Sequence, residues 1–385
     1  MIIKLYRIRS KKTLTITQYV TKVTWEGSVE QASRTLTLDI INAQSDDNIK
    51  NNIINKGDII SAFENNNKIF YGQVLTIEKK SESGTISYTC RDFAYHLLQS
   101  QATYNFKNTT AEKIAKKVCS DVQIAIGDLA KTNVTIKKLL MDSRSIYETI
   151  MAGYTKASKT TGEKYMLRMD GKKVTVVKKG KIIENYRLSE NYNIISSSYT
   201  ESLENIINKV IIYDKDNKKA GEVKNESSIK LYGIFQSTYT KEDGVNAKTA
   251  AKKLLETVEK EVAVDIIHPT LECISGNGIK VYDKATKLTG IFWIENDSHT
   301  FENGVWTANL TLAFKNVMDK QEESDKQEKK SKKKSSASGS ITAYYTLDSK
   351  KYHSKKTCCN MKKPISTTVA KAERKGKEKC KKCWK

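Results

Sequence analysis

Hydrophobic and polar residues alternate along three runs between residues 23 and 98. The first run is Leu36, Leu38 and Ile40, the second spans 69–77, and the third is Ile86, Tyr88 and Cys90. A period of two places one side of each strand on a core and the other side in water. Candidate hairpin turns separate the runs, at Gly57-Asp58, Asn65-Asn66-Asn67 and Ser83-Gly84. We therefore predict a first antiparallel barrel over residues 1–98.

The period changes to that of a helix after the first barrel. One helix is predicted over 109–122, behind the capping candidates Thr109 and Thr110, and a second over 143–157. Two strands and their turns follow the second helix. These features predict an α+β insertion over residues 99–190.

The alternating pattern resumes near Asn193, and residues 276–314 repeat the order of strands and turns of the first barrel. A helix is predicted between these parts, over 246–261. We expect a second barrel with a helix over 191–318. The predicted fold class is α+β and β-rich, with two antiparallel barrel-like domains, helical insertions, a flexible tether and a small zinc module.

Composition agrees with sheet structure and locates the charge. The 385 residues include only two prolines, and the formal net charge is +23. Roughly +14 of this charge follows Lys330, so the body is only mildly basic. Residues 319–340 mix charges with Ser and Gly and lack apolar periodicity, which predicts a flexible linker between the body and a C-terminal module over 341–385.

Several short patterns occur in a specific order. They are R-x-L-x-L-x-I at 34–40, K-G-D at 56–58, Y-G-x-V at 71–74, an aromatic helix start at 92–95, and S-L-E-N-I-I-N-K-V at 202–210. This order resembles that of the tail hub, or baseplate hub, proteins of contractile-tailed phages and phage-tail-like bacteriocins, the late-control protein D and PBSX-prophage hub group.

The resemblance implies a structural hub that joins a hexameric tail tube to the trimeric central tip of a baseplate. Two similar barrels per chain let a homotrimer present six similar faces around one axis. The implied partners are the tail tube protein, other baseplate proteins and the tape-measure protein. We expect assembly in a bacterial cytoplasm, followed by incorporation into a virion or tail-like particle, because the N-terminus lacks an apolar signal region and no run is long enough to span a membrane.

The C-terminal module contains a candidate metal site. About 45 residues are too few for a self-sufficient core, so a metal would supply folding energy. His353, Cys358, Cys380 and Cys383 form a Cys3His set suited to Zn2+, and Cys359 is a substitute for Cys358. A disulfide module in an oxidising setting is the alternative.

This module also resembles the small Ada-like metal-binding modules. Their pattern is matched by Tyr352-His353, by Cys358 with the following Met361-Lys362-Lys363, by 370–376, and by Cys380 with Cys383. The alignment favours Cys358 over Cys359 as the ligand. The chain departs from the pattern by one extra residue between His353 and Cys358 and by the presence of Cys359.

No catalytic residues or organic cofactor are predicted, and we expect the chain not to be an enzyme. His96, His268 and His299 occur in apolar or turn contexts. Asp297, Ser298 and His299 are the residue types of a catalytic triad, but neighbours on one strand point to opposite faces. Three isolated cysteines, Cys90, Cys119 and Cys273, are predicted to be buried.

An alternative function is a nucleic-acid-binding protein that uses the basic zinc module. Binding of that kind weakens steeply with salt, whereas a hub forms a stable trimer. The module offers few aromatic positions for stacking on bases, so nucleic acid is the less favoured partner.

Overall fold

A computed structural model describes residues 1–42, 54–80, 84–242, 246–324, 342–345, 349, 351–355, 358, 365–368 and 377–383. The chain forms two compact units, Met1–Asp325 and Lys326–Lys385. Strands dominate, which confirms the β-rich α+β class expected from the sequence. Among the described residues, no helix has the length and apolar character required to span a membrane.

The first lobe of the larger unit is an antiparallel sheet of seven strands. They are β1 (Ile2–Arg7), β2 (Lys12–Thr15), β3 (Val20–Ser28), β4 (Thr35–Ile41), β5 (Ile59–Glu64), β6 (Asn67–Lys79) and β7 (Thr85–Asp92). Their spatial order is β3-β4-β7-β6-β5-β1-β2. Asn65 and Asn66 both have positive φ, which confirms the predicted turn between β5 and β6. The alternating residues Leu36, Leu38 and Val74 are fully buried.

The α+β insertion follows the first lobe. Its elements are α1 (Ala94–Gln99), β8 (Gln101–Thr109), α2 (Ala111–Asp121), β9 (Ile126–Leu129), β10 (Ile136–Ser145), α3 (Ile146–Thr161), β11 (Tyr165–Asp170) and β12 (Lys173–Lys178). α3 begins at Ile146 because Ser145 and Glu148 form a capping box, whereas Ser143 lies in a positive-φ conformation. α2 and α3 bury apolar faces, which include Ile114 and Ile150, in one core.

The second lobe contains six strands and an inserted small sheet. In chain order the elements are β13 (Ile182–Ser189), β14 (Ile194–Ser202), β15 (Lys209–Tyr213), β16 (Lys219–Lys224), α4 (Glu226–Tyr232), β17 (Gln236–Thr240), α5 (Ala247–Lys252), β18 (Glu259–Ile267), β19 (Gly278–Asp283), β20 (Leu288–Glu302) and β21 (Val305–Ala313). The lobe has the order β14-β18-β21-β20-β19-β13, while β16-β15-β17 form the inserted sheet. β13 falls within the span predicted for the insertion, but it pairs with β19.

The helix predicted over 246–261 is wrong in its second half. Its start is right, because the Asn246 side chain accepts a hydrogen bond from the Thr249 N–H at 3.0 Å. The helix ends at Lys252, and residues 259–261 belong to β18. β18 is hydrogen-bonded to β14 on one side and β21 on the other, and this pairing overrides the local helical spacing of the apolar residues.

Residues 319–324, at the start of the predicted linker, are bonded to the insertion. The Tyr147 hydroxyl donates to Asp319 at 2.7 Å, and the Ser324 N–H donates to the Leu140 carbonyl at 2.9 Å. Lys156 and Lys159 on α3 pair with Glu323 and Glu322. These contacts extend the ordered body six residues past Met318, where composition alone placed its end. The rest of the predicted linker, 325–340, lies outside the described residues.

The described residues of the smaller unit include four short strands, β22 (Thr342–Tyr345), β23 (Lys351–Tyr352), β24 (Ile365–Thr368) and β25 (Glu378–Lys379). β22 pairs antiparallel with β24, and β23 pairs parallel with β25. Tyr344 and His353 exchange backbone hydrogen bonds of 2.8 and 2.7 Å. The short ladders hold the residues near His353 against those near Cys380.

Candidate metal centre and the joint between the lobes

Four ligand-type side chains converge in the smaller unit. The ligand atoms of His353, Cys358, Cys380 and Cys383 all lie within 4.8 Å of one another. His353 and Cys380 are each 4 % exposed, whereas Cys358 and Cys383 are half-buried. All four residues predicted as zinc ligands are therefore brought together, and they form a cluster that could bind a metal.

The backbone explains the convergence. β23 leads directly into His353, and β25 leads into Cys380, whose N–H donates to the Tyr352 carbonyl at 3.0 Å. The two strands run parallel, so the residues that follow them meet at the same end. Cys383 follows on the turn after Cys380, and its sulfur lies 3.7 Å from Nδ1 of His353.

Electrostatics favour a thiolate at Cys383. Burial acts to raise the pKa of this thiol, but hydrogen bonding to Ser354, Cys358 and His353 outweighs it and lowers the pKa to about 6. The Ser354 N–H donates to the Cys383 sulfur at 3.4 Å. A sulfur that accepts a backbone N–H is suited to metal binding, since the thiolate is the form that coordinates.

The donor set fits Zn2+. Tetrahedral Zn2+ with bonds of about 2.3 Å to sulfur and 2.0–2.1 Å to nitrogen requires neighbouring ligand atoms within about 4 Å of one another. The ligand atoms of the cluster lie within 4.8 Å of one another, so a small movement towards a common centre gives this arrangement. The described cysteines are free thiols rather than disulfides. Cys359, the substitute ligand predicted from the sequence, lies outside the described residues.

A second polar site lies at the joint between the two lobes, where β20 pairs with β3. The Arg34 guanidinium forms an ion pair with Asp297, and the two side chains are 19 % and 0 % exposed. Asp297 also accepts the Ser275 N–H at 2.6 Å. Burial acts to raise the pKa of Asp297, but the charge of Arg34 and a hydrogen bond from His299 hold it well below its usual range. The joint therefore contains a buried carboxylate that is paired with a half-buried guanidinium.

The joint is shaped to hold Arg34 in place. The guanidinium carbon lies 4.0 Å from the centre of the Trp25 ring, a cation–π contact. A Cβ on Gly27 would collide with this guanidinium, so the close approach requires glycine. Neither Arg34 nor Asp297 was identified as a functional residue from the sequence. The two residues are 263 positions apart, and no local pattern links them.

His299 is a structural residue of this joint. Its Nε2 faces the Cys273 carbonyl at 2.9 Å, and its Nδ1 receives the Trp306 indole N–H at 3.2 Å. The carbonyl only accepts and the indole only donates, so His299 carries its proton on Nε2. Ser298 points to the opposite face and donates to Glu26 at 3.0 Å. The three triad residue types therefore form no catalytic arrangement.

The remaining candidate histidines and cysteines lie in different parts of the fold. His96 stacks on Phe93 at the surface of α1, with ring centres 5.4 Å apart, and His268 has a positive φ after β18. Cys90, Cys119 and Cys273 are fully buried in apolar cores, and burial raises the pKa of Cys119 and Cys273 to about 11. The prediction that these thiols pack as small apolar residues agrees with their burial.

Comparison with known proteins identifies relatives of the larger unit. The chain is 27 % identical over 307 residues to the uncharacterized protein YqbQ of Bacillus subtilis (strain 168), covering 76 % of this chain and 92 % of YqbQ. It is 25 % identical over 305 residues to the phage-like element PBSX protein XkdQ of the same strain, covering 77 % of this chain and 93 % of XkdQ.

Solved structures show the same fold. The 43 kDa tail protein of prophage MuSo2 from Shewanella oneidensis matches with a TM-score of 0.61 at 14 % identity, over 81 % of this chain and 98 % of that protein. The tail protein from Neisseria meningitidis MC58 matches with a TM-score of 0.56 at 14 % identity, over 81 % of this chain and 95 % of that protein. The model of the YqbQ-like family matches residues 23–313, which include the insertion and both lobes except β1, β2 and the start of β3. The chain belongs to the YqbQ-like family.

Proposed function

We propose that this protein is the structural hub of a contractile phage tail or tail-like bacteriocin. In this role a homotrimer joins the hexameric tail tube to the trimeric central tip of the baseplate. The observation that carries the proposal is the duplication of one strand order in the two lobes of a single chain. Three chains then supply six similar lobes, which is the number needed to meet a sixfold tube.

The relatives support a tail role. XkdQ is named as a protein of the phage-like element PBSX, and the two structures of matching fold are named as tail proteins. The expected partners are the tail tube protein, other baseplate proteins and the tape-measure protein. The late-control protein D and PBSX-prophage hub group is the specific group proposed.

The smaller unit is proposed as an Ada-like, zinc-stapled tip or plug. His353, Cys358, Cys380 and Cys383 would hold the metal, which stabilises a fold too small to have a large core. Its positive charge would face acidic wall polymers of a target cell or the C-terminal part of the tape-measure protein inside the tube.

Electron microscopy of purified particles tests this proposal. An antibody against the smaller unit, applied to particles from a producing strain, should label one end of the tail, at the baseplate. Particles from a strain that lacks the smaller unit serve as the control and should stay unlabelled. Label along the tube, on the head, or on no particle would contradict a hub.

A further inference from the structure

The two lobes share the same order of paired strands. The first lobe has the order β3-β4-β7-β6-β5-β1, and the second has β14-β18-β21-β20-β19-β13. By position in this order, β14 is the equivalent of β3, and β20 is the equivalent of β6. The equivalence holds although β1 pairs antiparallel with β5, whereas β13 pairs parallel with β19.

Paired residues fix the equivalence residue by residue. One row crosses the first lobe through Trp25, Leu36, Cys90 and Val74. The equivalent row crosses the second lobe through Tyr199, Val262, Leu312 and Ile294. Irregularities in the ladders coincide as well. The register of β6 with β7 shifts after Val74, and the equivalent register of β20 with β21 shifts after Ile294. The register of β3 with β4 shifts after Val20, and the equivalent register of β14 with β18 shifts after Ile194.

One joint between lobes is already formed inside the chain. Beyond its bulge, β20 pairs antiparallel with β3 over seven residues, with His299 opposite Trp25. The equivalent edges are those of β6 beyond Val74 and of β14. In the part of the chain that the structure describes, β14 ends the strand order, and β5 pairs with β6 only up to Gln73. Each chain thus contains one joint between its own two lobes. It also exposes the two strand edges that a second joint of the same kind requires.

We propose that β6 of one copy pairs antiparallel with β14 of the next copy, in the register of β20 with β3. This inference rests on the proposed trimer and names the contact that builds it. Transfer of the register places Ile77 opposite Glu201, Glu78 opposite Thr200 and Lys79 opposite Tyr199 of the neighbouring copy. The contact joins two different surfaces, and such a contact closes into a ring when its rotation permits.

Side chains at the transferred register are compatible. In the joint within the chain, the Ser298 hydroxyl donates to the Glu26 carboxylate. In the joint between copies, the Thr200 hydroxyl faces the Glu78 carboxylate, so the same pair of groups recurs with the strands exchanged. Lys79 faces Tyr199, whose ring already has the Lys260 ammonium 6.0 Å from its centre. The ion pair of Arg34 with Asp297 has no counterpart in the joint between copies. Ile77 stands at the position of Asp297, and Glu201 stands at the position of Gly27.

The character of the β14 edge supports a partner strand. Exposed edges of native sheets are usually blunted by Lys, Pro or short length, because an open edge recruits other strands. β14 is nine residues long and contains no Lys, Arg or Pro. The edge at the other end of the sheet, β2, is four residues long and begins with Lys12.

Disulfide cross-linking of the full chain tests the register. Two double variants, Ile77→Cys with Glu201→Cys and Glu78→Cys with Thr200→Cys, place cysteines at directly opposed positions. Neighbouring pairs alternate between hydrogen-bonded and closer non-hydrogen-bonded geometry, so one of the two suits a disulfide. The four single variants control for the native cysteines, and Ile77→Cys with Ile195→Cys controls for register.

Mild oxidation at micromolar concentration should give a denaturant-resistant ladder that ends at three chains for at least one matched pair, and none for the controls. A trimer by light scattering that forms no link with either matched pair overturns the strand pairing and leaves the hub proposal intact. A chain that stays monomeric when the tail tube protein is added, and that forms no link, overturns both. A ladder that continues past three chains supports the pairing and contradicts the trimer.

Discussion

Arg34 and Asp297 connect the two lobes at the scale of single residues. Both side chains are withdrawn from solvent, and the carboxylate also accepts the Ser275 N–H. Removal of one partner of a buried pair leaves the other charge without compensation. This usually lowers the free energy of unfolding by several kcal/mol.

Arg34→Met should lower the stability of the larger unit by about 3–5 kcal/mol. The measurement is the urea midpoint, followed by tryptophan fluorescence, because Trp25 lies directly against Arg34. Lys181→Met is the matched control, since its ion pair with Glu272 is exposed and pairs of this kind contribute little to stability. Equal midpoints for the two variants would show that the buried pair does not stabilise the joint.

The same pair predicts a dependence of stability on pH. The pKa of Asp297 is lowered in the folded protein, so the folded state binds fewer protons at this site than the unfolded state. Its stabilisation is complete above about pH 4, the ordinary range of an aspartate, and is lost as the pH falls towards the folded pKa.

Cys380→Ser should abolish zinc binding, because it removes one thiolate of the four ligands. Elemental analysis of full chain purified without chelator should give one zinc per chain for the parent and for the control Cys359→Ser. The fluorescence-detected unfolding of the larger unit should be unchanged in both variants. Absence of zinc from the parent, or its retention by Cys380→Ser, would refute this ligand set.

Residue-level prediction from sequence selected residues that lie close together where the signal is local. The C-x-x-C spacing of Cys380 and Cys383 and the chemistry of His353 are visible without a fold, and the structure brings these residues together. Arg34 and Asp297 were missed because their partnership depends on the pairing of β3 with β20. Ser354 was missed because its role depends on the position of its N–H beside a sulfur.

At the scale of elements, period and capping predicted most strands and helices. The Asn65-Asn66 turn and the start of α5 after Asn246 follow from local chemistry. The helix behind Thr110 starts where the sequence predicted it, but without a hydrogen bond from the backbone to the Thr110 side chain. The length of α5 was wrong, since residues 259–261 take their conformation from two neighbouring strands. Strand order was not predictable, because alternation tells which face of a strand is buried but not which strand lies beside it.

Residues 319–324 lead to a prediction about chain length. A chain that ends at Ser324 retains the contacts of Asp319 with Tyr147 and of Ser324 with Leu140, whereas a chain that ends at Met318 loses both. We expect the shorter form to melt several degrees lower and the longer form to melt like the larger unit of the full chain, because one or two kcal/mol shift a domain by about 2–8 °C. Identical melting temperatures by calorimetry would mean that these contacts contribute nothing.

At the scale of the whole molecule, one chain contains two lobes with the same strand order in the larger unit and a smaller unit with a cluster of four candidate metal ligands. The family model matches residues 23–313, and the candidate metal ligands follow this region. This division matches the two proposed roles, ring building for the lobes and a tip or plug for the smaller unit.

Deletion of residues 341–385 should therefore leave assembly intact and remove infection or killing. The measurement compares particle number by electron microscopy with the activity of the same preparation on sensitive cells. The control is a strain with Cys359→Ser, which should assemble and act as the parent does. Particles without the segment that remain fully active would exclude a tip or plug role.

The mass of the full chain in solution tests the central claim most directly. Light scattering coupled to size exclusion, at micromolar concentration, should give three times the 43.5 kDa of one chain. Three chains would supply the six equivalent lobes that a sixfold tube requires. A mass of one chain that stays unchanged when the tail tube protein is added would contradict the hub.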